Sequence, residues 1–136
     1  MRATFLVTGK SLAAEPWGSS AANQYLPQAP GMILWRPMLF HCVYFWLKPE
    51  LTAAQRADFR RGVESLTAIK SVVATSIGGP APTTARPVID HSFDVALIVQ
   101  CRDVAAEAAY QIDPIHLAFV AQFKSHWTRV QIYDSQ

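Results

Sequence analysis

An α+β domain of β-α-β-β-α-β order is what this sequence predicts, and three observations predict it. From Met38 onward, short runs rich in aromatic and β-branched residues alternate with stretches of helical period. The helical stretches open on capping residues, and a loop dense in proline and glycine separates the second strand run from the third. With 136 residues, 51% hydrophobic and 16% charged, the chain has the size of one domain and enough apolar mass for a core.

The first strand is MLFHCVYFWL, residues 38–47, which Pro49 ends. TAAQRADFRRGVESLTAI follows as a helix. Thr52 and Gln55 stand in capping-box spacing, and Phe59, Val63 and Leu66 recur at i, i+4 and i+7 as one apolar face. A second strand, from Val72 to Ile77, is stopped by GGPAPTTARP. SFDVALIVQC alternates as the third strand, with Phe93, Val95, Leu97 and Val99 expected on one face. Asp103 caps a helical stretch through VAAEAAYQI. Asp113 caps again, with Pro114 at the first helical position, where its missing N–H costs nothing, and IHLAFVAQF continues. TRVQIYD closes the chain as a strand. This order is the split βαβ plan of ferredoxin-like folds.

Residues 1–37 differ. They hold Pro16, Pro27, Pro30 and Pro37 with no sustained period, and are expected to form an irregular extension outside the domain of residues 38–136. Phe5, Trp17, Tyr25 and Trp35 suit partial packing on a surface, and Met38 could itself serve as a translation start.

A net charge of +2 with dispersed basic residues gives no nucleic-acid surface. The densest basic cluster, Arg56, Arg60 and Arg61, reads as a solvated helix face. Cys42 and Cys101 stand apart, without zinc or disulfide spacing, which suits reduced thiols and a cytoplasmic location. The start MRATFLVTGK lacks a secretory core, and the longest apolar run, LFHCVYFWL, is far short of the roughly 20 residues of a membrane span.

The first strand is apolar on both faces. His41, Val43 and Phe45 alternate with Phe40, Cys42, Tyr44 and Trp46, and helices can cover only one of these rows. Packing of the second row against another copy is the simplest cover, so a homodimer is expected, with Phe40, Cys42, Tyr44 and Trp46 at its interface.

FHCVYFWLKPELTAAQRADF, IGGPAPT, DHSFDVALIV, YQIDPIHLAFV and HWTRVQIYD, in that order, resemble the stress-responsive dimeric α/β-barrel (Dabb) family over residues 38–134. The resemblance implies a ferredoxin-like protomer whose sheet joins that of its twin in a barrel. Many members have no assigned reaction; some plant members are polyketide cyclases that work by intramolecular aldol condensation without metal or organic cofactor. The pocket of those cyclases lies between sheet and helices, and their site residues correspond to His41, Tyr110 and His116. The walls carried over are Val43 and Phe45, Phe59 and Val63, Leu97 with Val95, Phe119, and Trp127, Val130 and Ile132. At Val95 the cyclases have a further histidine, so the resemblance to their chemistry is incomplete.

A histidine titrates in the range suited to acid–base work near neutrality. Tyr110 could donate to a carbonyl oxygen while His116 removes the adjacent proton; alternatively His116 is a core histidine bonded to a carbonyl. Asp113 and His116, at i and i+3, are too few for a metal site, and Asp113 has a capping role. His91 and His126 read as exposed or structural. Three functions follow: a dimer binding a small apolar or aromatic carbonyl molecule, a cofactor-independent cyclase-like lyase, and a structural dimer whose extension recruits a partner. Cofactor-free monooxygenase chemistry is a further analogy of fold alone.

Overall fold

The computed structural model describes residues 37–136; the extension expected before them, with its four aromatic residues, lies outside the described residues but for Pro37. The elements are β1 (Leu39–Leu47), α1 (Ala53–Ser65), β2 (Val72–Gly78), β3 (Val95–Cys101), α2 (Val104–Gln111), α3 (Pro114–Phe123) and β4 (Trp127–Ser135). They follow the expected order, with the second helical region broken in two by the Asp-Pro step. The strands form one antiparallel sheet in the order β2-β3-β1-β4, which is the ferredoxin-like arrangement.

Local chemistry starts each helix. Thr52 accepts the Gln55 N–H and the Gln55 side chain accepts the Thr52 N–H, a complete capping box. Asp103 accepts from the Ala106 N–H and Asp113 from the Ile115 N–H, so each satisfies a donor that its helix leaves free. Helix α1 then turns Phe59 and Val63 inward, and the short helical turn Leu66–Ala68 adds Leu66; all three are essentially inaccessible. Burial of each such side chain contributes about 1.5–3 kcal/mol.

The core lies between the sheet and the helices. Phe45 of β1 meets Phe59 edge-on at 5.2 Å, and Phe59 meets Phe123 of α3 at 5.7 Å. Helices α1 and α3 approach closely at Gly62, where a methyl group would overlap the Phe123 ring. On the opposite sheet face, Cys42, Tyr44 and Trp46 are only half-buried, while Phe40 and Tyr133 are exposed.

Two expectations need correction. Phe93 does not share a face with Val95. The chain bends at Asp94 before β3 begins, and Phe93 packs edge-on against Tyr44 of the open face at 5.0 Å. The bend is held by the Asp94 N–H donating to the Phe45 carbonyl at 2.8 Å, and by the Asp94 carboxylate accepting the Leu47 N–H at 2.7 Å. Arg56 also departs from its solvated cluster: it binds Asp94 at 3.0 Å and the Lys48 carbonyl at 3.0 Å, tying α1 to that bend. Arg60 and Arg61 do lie exposed, paired along the helix with Glu64 and Asp58.

Cys42 and Cys101 are free, and burial pushes both thiols up from their ordinary pKa, which makes them poor nucleophiles. Among the described residues no helix is long and apolar enough to cross a membrane.

Candidate functional site

Strand alternation, helix phase and the Asp-Pro break bring three polar side chains to one place. His41 stands in the helix-facing row of β1 and is 3% exposed. Tyr110 comes from the last turn of α2 and is 1% exposed; its ring lies 5.7 Å from that of His41. His116 stands on the first turn of α3, with its ring 4.7 Å from Tyr110. Without the break between α2 and α3, residues 110 and 116 would point about 120° apart around one continuous helix. The new start at Asp113 and Pro114 lets them face each other.

All three line a cavity of about 160 Å³ between the sheet and the helices. Of the expected walls, Val43, Phe45, Leu97, Phe119, Trp127, Val130 and Ile132 line it as well. Phe59, Val63 and Val95 do not; they are buried in the core, because alternation and helical phase specify an inward face without specifying depth. Val130 and Ile132, on the edge strand β4, are 39% and 43% exposed, so the wall on that side is open to solvent.

The hydrogen bonds assign the protons. The His116 Nδ1 lies 3.0 Å from the Gln111 carbonyl, which can only accept, so Nδ1 carries the hydrogen and a neutral ring has its lone pair at Nε2. The anticipated carbonyl bond therefore satisfies one ring nitrogen and leaves the other as an acceptor. The His41 Nδ1 lies 2.7 Å from Asp134 Oδ1 and 3.9 Å from Glu107 Oε1. Burial, with smaller contributions from Cys101 and Glu107, pushes the Tyr110 phenol far above its ordinary range. Near neutrality Tyr110 is thus a hydroxyl donor.

Leu66, Gln111 and Val120 also line the cavity but were not anticipated there. Leu66 was legible as the last member of the α1 apolar face, and Val120 as the residue one turn beyond His116. Gln111 had no such signal: its carbonyl holds His116 while its side-chain amide donates to Glu107 at 2.6 Å.

The other candidates fall elsewhere. Asp113 is occupied as the α3 cap. His91 pairs with Thr83 at 3.1 Å on the surface, and His126 packs edge-on against Phe123 at 5.2 Å. Among the described residues no three His, Cys, Asp or Glu side chains gather as metal ligands.

Solved structures share the fold at low identity. A Dabb family protein from Mesorhizobium loti with a ferredoxin-like fold is 24% identical, with a TM-score of 0.59 over 73% of this chain and 95% of its own. The hydroxynitrile lyase of Passiflora edulis is 17% identical, with a TM-score of 0.63 over 74% and 93%. A dimeric ferredoxin-like protein of unknown function from Thermobifida fusca is also 17% identical, with a TM-score of 0.59 over 72% and 89%. No curated protein matches the sequence. The family model of the stress responsive A/B barrel domain matches residues 39–136, all four strands and three helices, and the chain accordingly belongs to the Dabb family.

Proposed function

We propose that this chain forms a homodimer in which each protomer binds a compact carbonyl compound, aromatic or aliphatic, in the cavity between sheet and helices. The observation that carries this reading is the convergence of His41, Tyr110 and His116 on an otherwise apolar cavity. His41 and Tyr110 are buried and His116 half-buried, and a few polar groups converging on an apolar void are the mark of a ligand site. Size narrows the ligand: about 160 Å³ is close to an apolar cavity known to hold benzene and smaller than ordinary drug-sized sites.

The dimer is supported by the half-buried aromatic row on the open face and by the dimeric description of similar structures. Residues 1–37 are read as an extension outside the domain, removable without loss of the fold.

A second reading, proton transfer within the same cavity, is favoured by the His116 tautomer. The Nε2 lone pair would take a proton from the carbon next to a bound carbonyl while the Tyr110 hydroxyl donates to the developing enolate oxygen. Return of the proton to carbon completes a balanced exchange.

Titration with benzaldehyde tests binding: the wild type should bind, and Tyr110→Phe, which removes the hydroxyl donor to the carbonyl oxygen, should weaken it about tenfold, the worth of one hydrogen bond to a buried group. Exchange of the α-hydrogens of cyclopentanone in D2O, followed by NMR, tests the second reading. Binding without exchange above the buffer rate would leave a binding protein; absence of benzaldehyde binding would sink the cavity reading.

A further inference from the structure

Proton transfer between His116 and Tyr110 makes no use of His41 or of the two carboxylates beside it. His41 and Asp134 are directly paired in the β1–β4 register, so their side chains project from the same sheet face. Their contact is short, at 2.7 Å, and the imidazole is 3% exposed. Glu107 approaches the same ring nitrogen from α2 at 3.9 Å, with its carboxylate steadied by the Gln111 amide. A neutral imidazole has one N–H to place. With two carboxylates at Nδ1, a lone pair there would face negative charge, whereas an N–H there is a charge-assisted donor.

We infer that Asp134 is a positioning residue that holds His41 as its Nδ1–H tautomer, so that the cavity offers two ring acceptors and one hydroxyl donor. This deepens the ligand-site reading, and its ligand half rests on that reading. His116 is fixed in the same sense by the Gln111 carbonyl, and the Tyr110 ring lies beside both imidazoles. The complement is a neutral compact molecule that carries an O–H or N–H donor beside an oxygen acceptor, such as a phenol or an α-hydroxy carbonyl compound. A carboxylate of the same size would meet two lone pairs, with Glu107 and Asp134 behind one of them, and is excluded.

Long-range 1H–15N NMR of the full-length 15N-labelled protein at pH 8 reads the tautomers directly. Both His41 and His116 should carry the proton on Nδ1. In Asp134→Leu, His41 should move toward the Nε2–H form while His116 stays unchanged, and Asp134→Glu should retain the wild-type pattern. A wild-type His41 protonated at Nε2 overturns the inference without need of any variant. Titration with phenol, toluene and sodium benzoate reads the ligand half. Phenol should bind more tightly than toluene and benzoate not at all; Asp134→Leu should weaken phenol about tenfold and leave toluene unchanged. Equal binding of phenol and toluene overturns the ligand class. If none of the three probes binds, the cavity reading fails too, while the tautomer measurement still judges Asp134.

Discussion

Gly62 shows at single-residue resolution how packing overrides propensity. Alanine in a helix interior is favoured over glycine by about 0.5–1 kcal/mol. At this position, however, the added methyl overlaps a Phe123 ring confined by Phe59 and Phe119. Overpacking of this kind costs about 1–3 kcal/mol, so Gly62→Ala should lower stability by about 1–2 kcal/mol in urea unfolding. Tyr110 carries a different signature. Its phenol holds its proton more tightly folded than unfolded, because burial disfavours the anion. The resulting stability is complete below the unfolded phenol range near pH 10 and declines as pH rises toward the folded value. Tyr110→Phe should flatten that alkaline decline, as read by unfolding free energies between about pH 9 and 11.

Individual elements divide into those that the sequence announces and those set from a distance. The starts of α1, α2 and α3 were legible because Thr52, Asp103 and Asp113 act on residues two or three positions away. The bend before β3 was not, because the partners of Asp94 are Leu47 and Arg56, some forty residues earlier. Local alternation therefore carried Phe93 onto the wrong face. The candidate site divides in the same way. His41, Tyr110 and His116 could be picked out by residue type and by resemblance, whereas Asp134 and Gln111, which orient the imidazoles, are defined by strand register and a backbone carbonyl. Asp94→Ala should release both the end of β1 and helix α1. A loss of about 1–2 kcal/mol is expected, the Arg56 share being small because that pair is about a third exposed. A double-mutant cycle with Arg56→Ala measures that share.

At the level of the whole molecule, the proposed dimer rests on the open sheet face. Tyr44, Phe93 and Tyr133 cluster there, and Arg129 lies 4.2 Å above the Trp46 ring, so the face mixes apolar area with one cation. Tyr133 is 61% exposed in the protomer, so a charge there costs little until a second copy arrives. Tyr133→Asp should leave the protomer folded and shift the wild-type dimer toward monomer, as measured by sedimentation velocity across a dilution series. A monomeric wild type at micromolar concentration would refute the dimer.

The register that joins Phe40 to Ser135 also orders events in time. Strand β1 is made before the rest of the domain, yet both of its neighbours, β3 and β4, come from the later half of the chain. Such distant pairings slow folding, because the chain must close long loops before any contact compensates the lost entropy. During synthesis the aromatic β1 therefore waits with both edges unpaired, a period of risk for aggregation and a natural point for chaperone capture. His41 waits with it, and meets Asp134 only when the final strand docks.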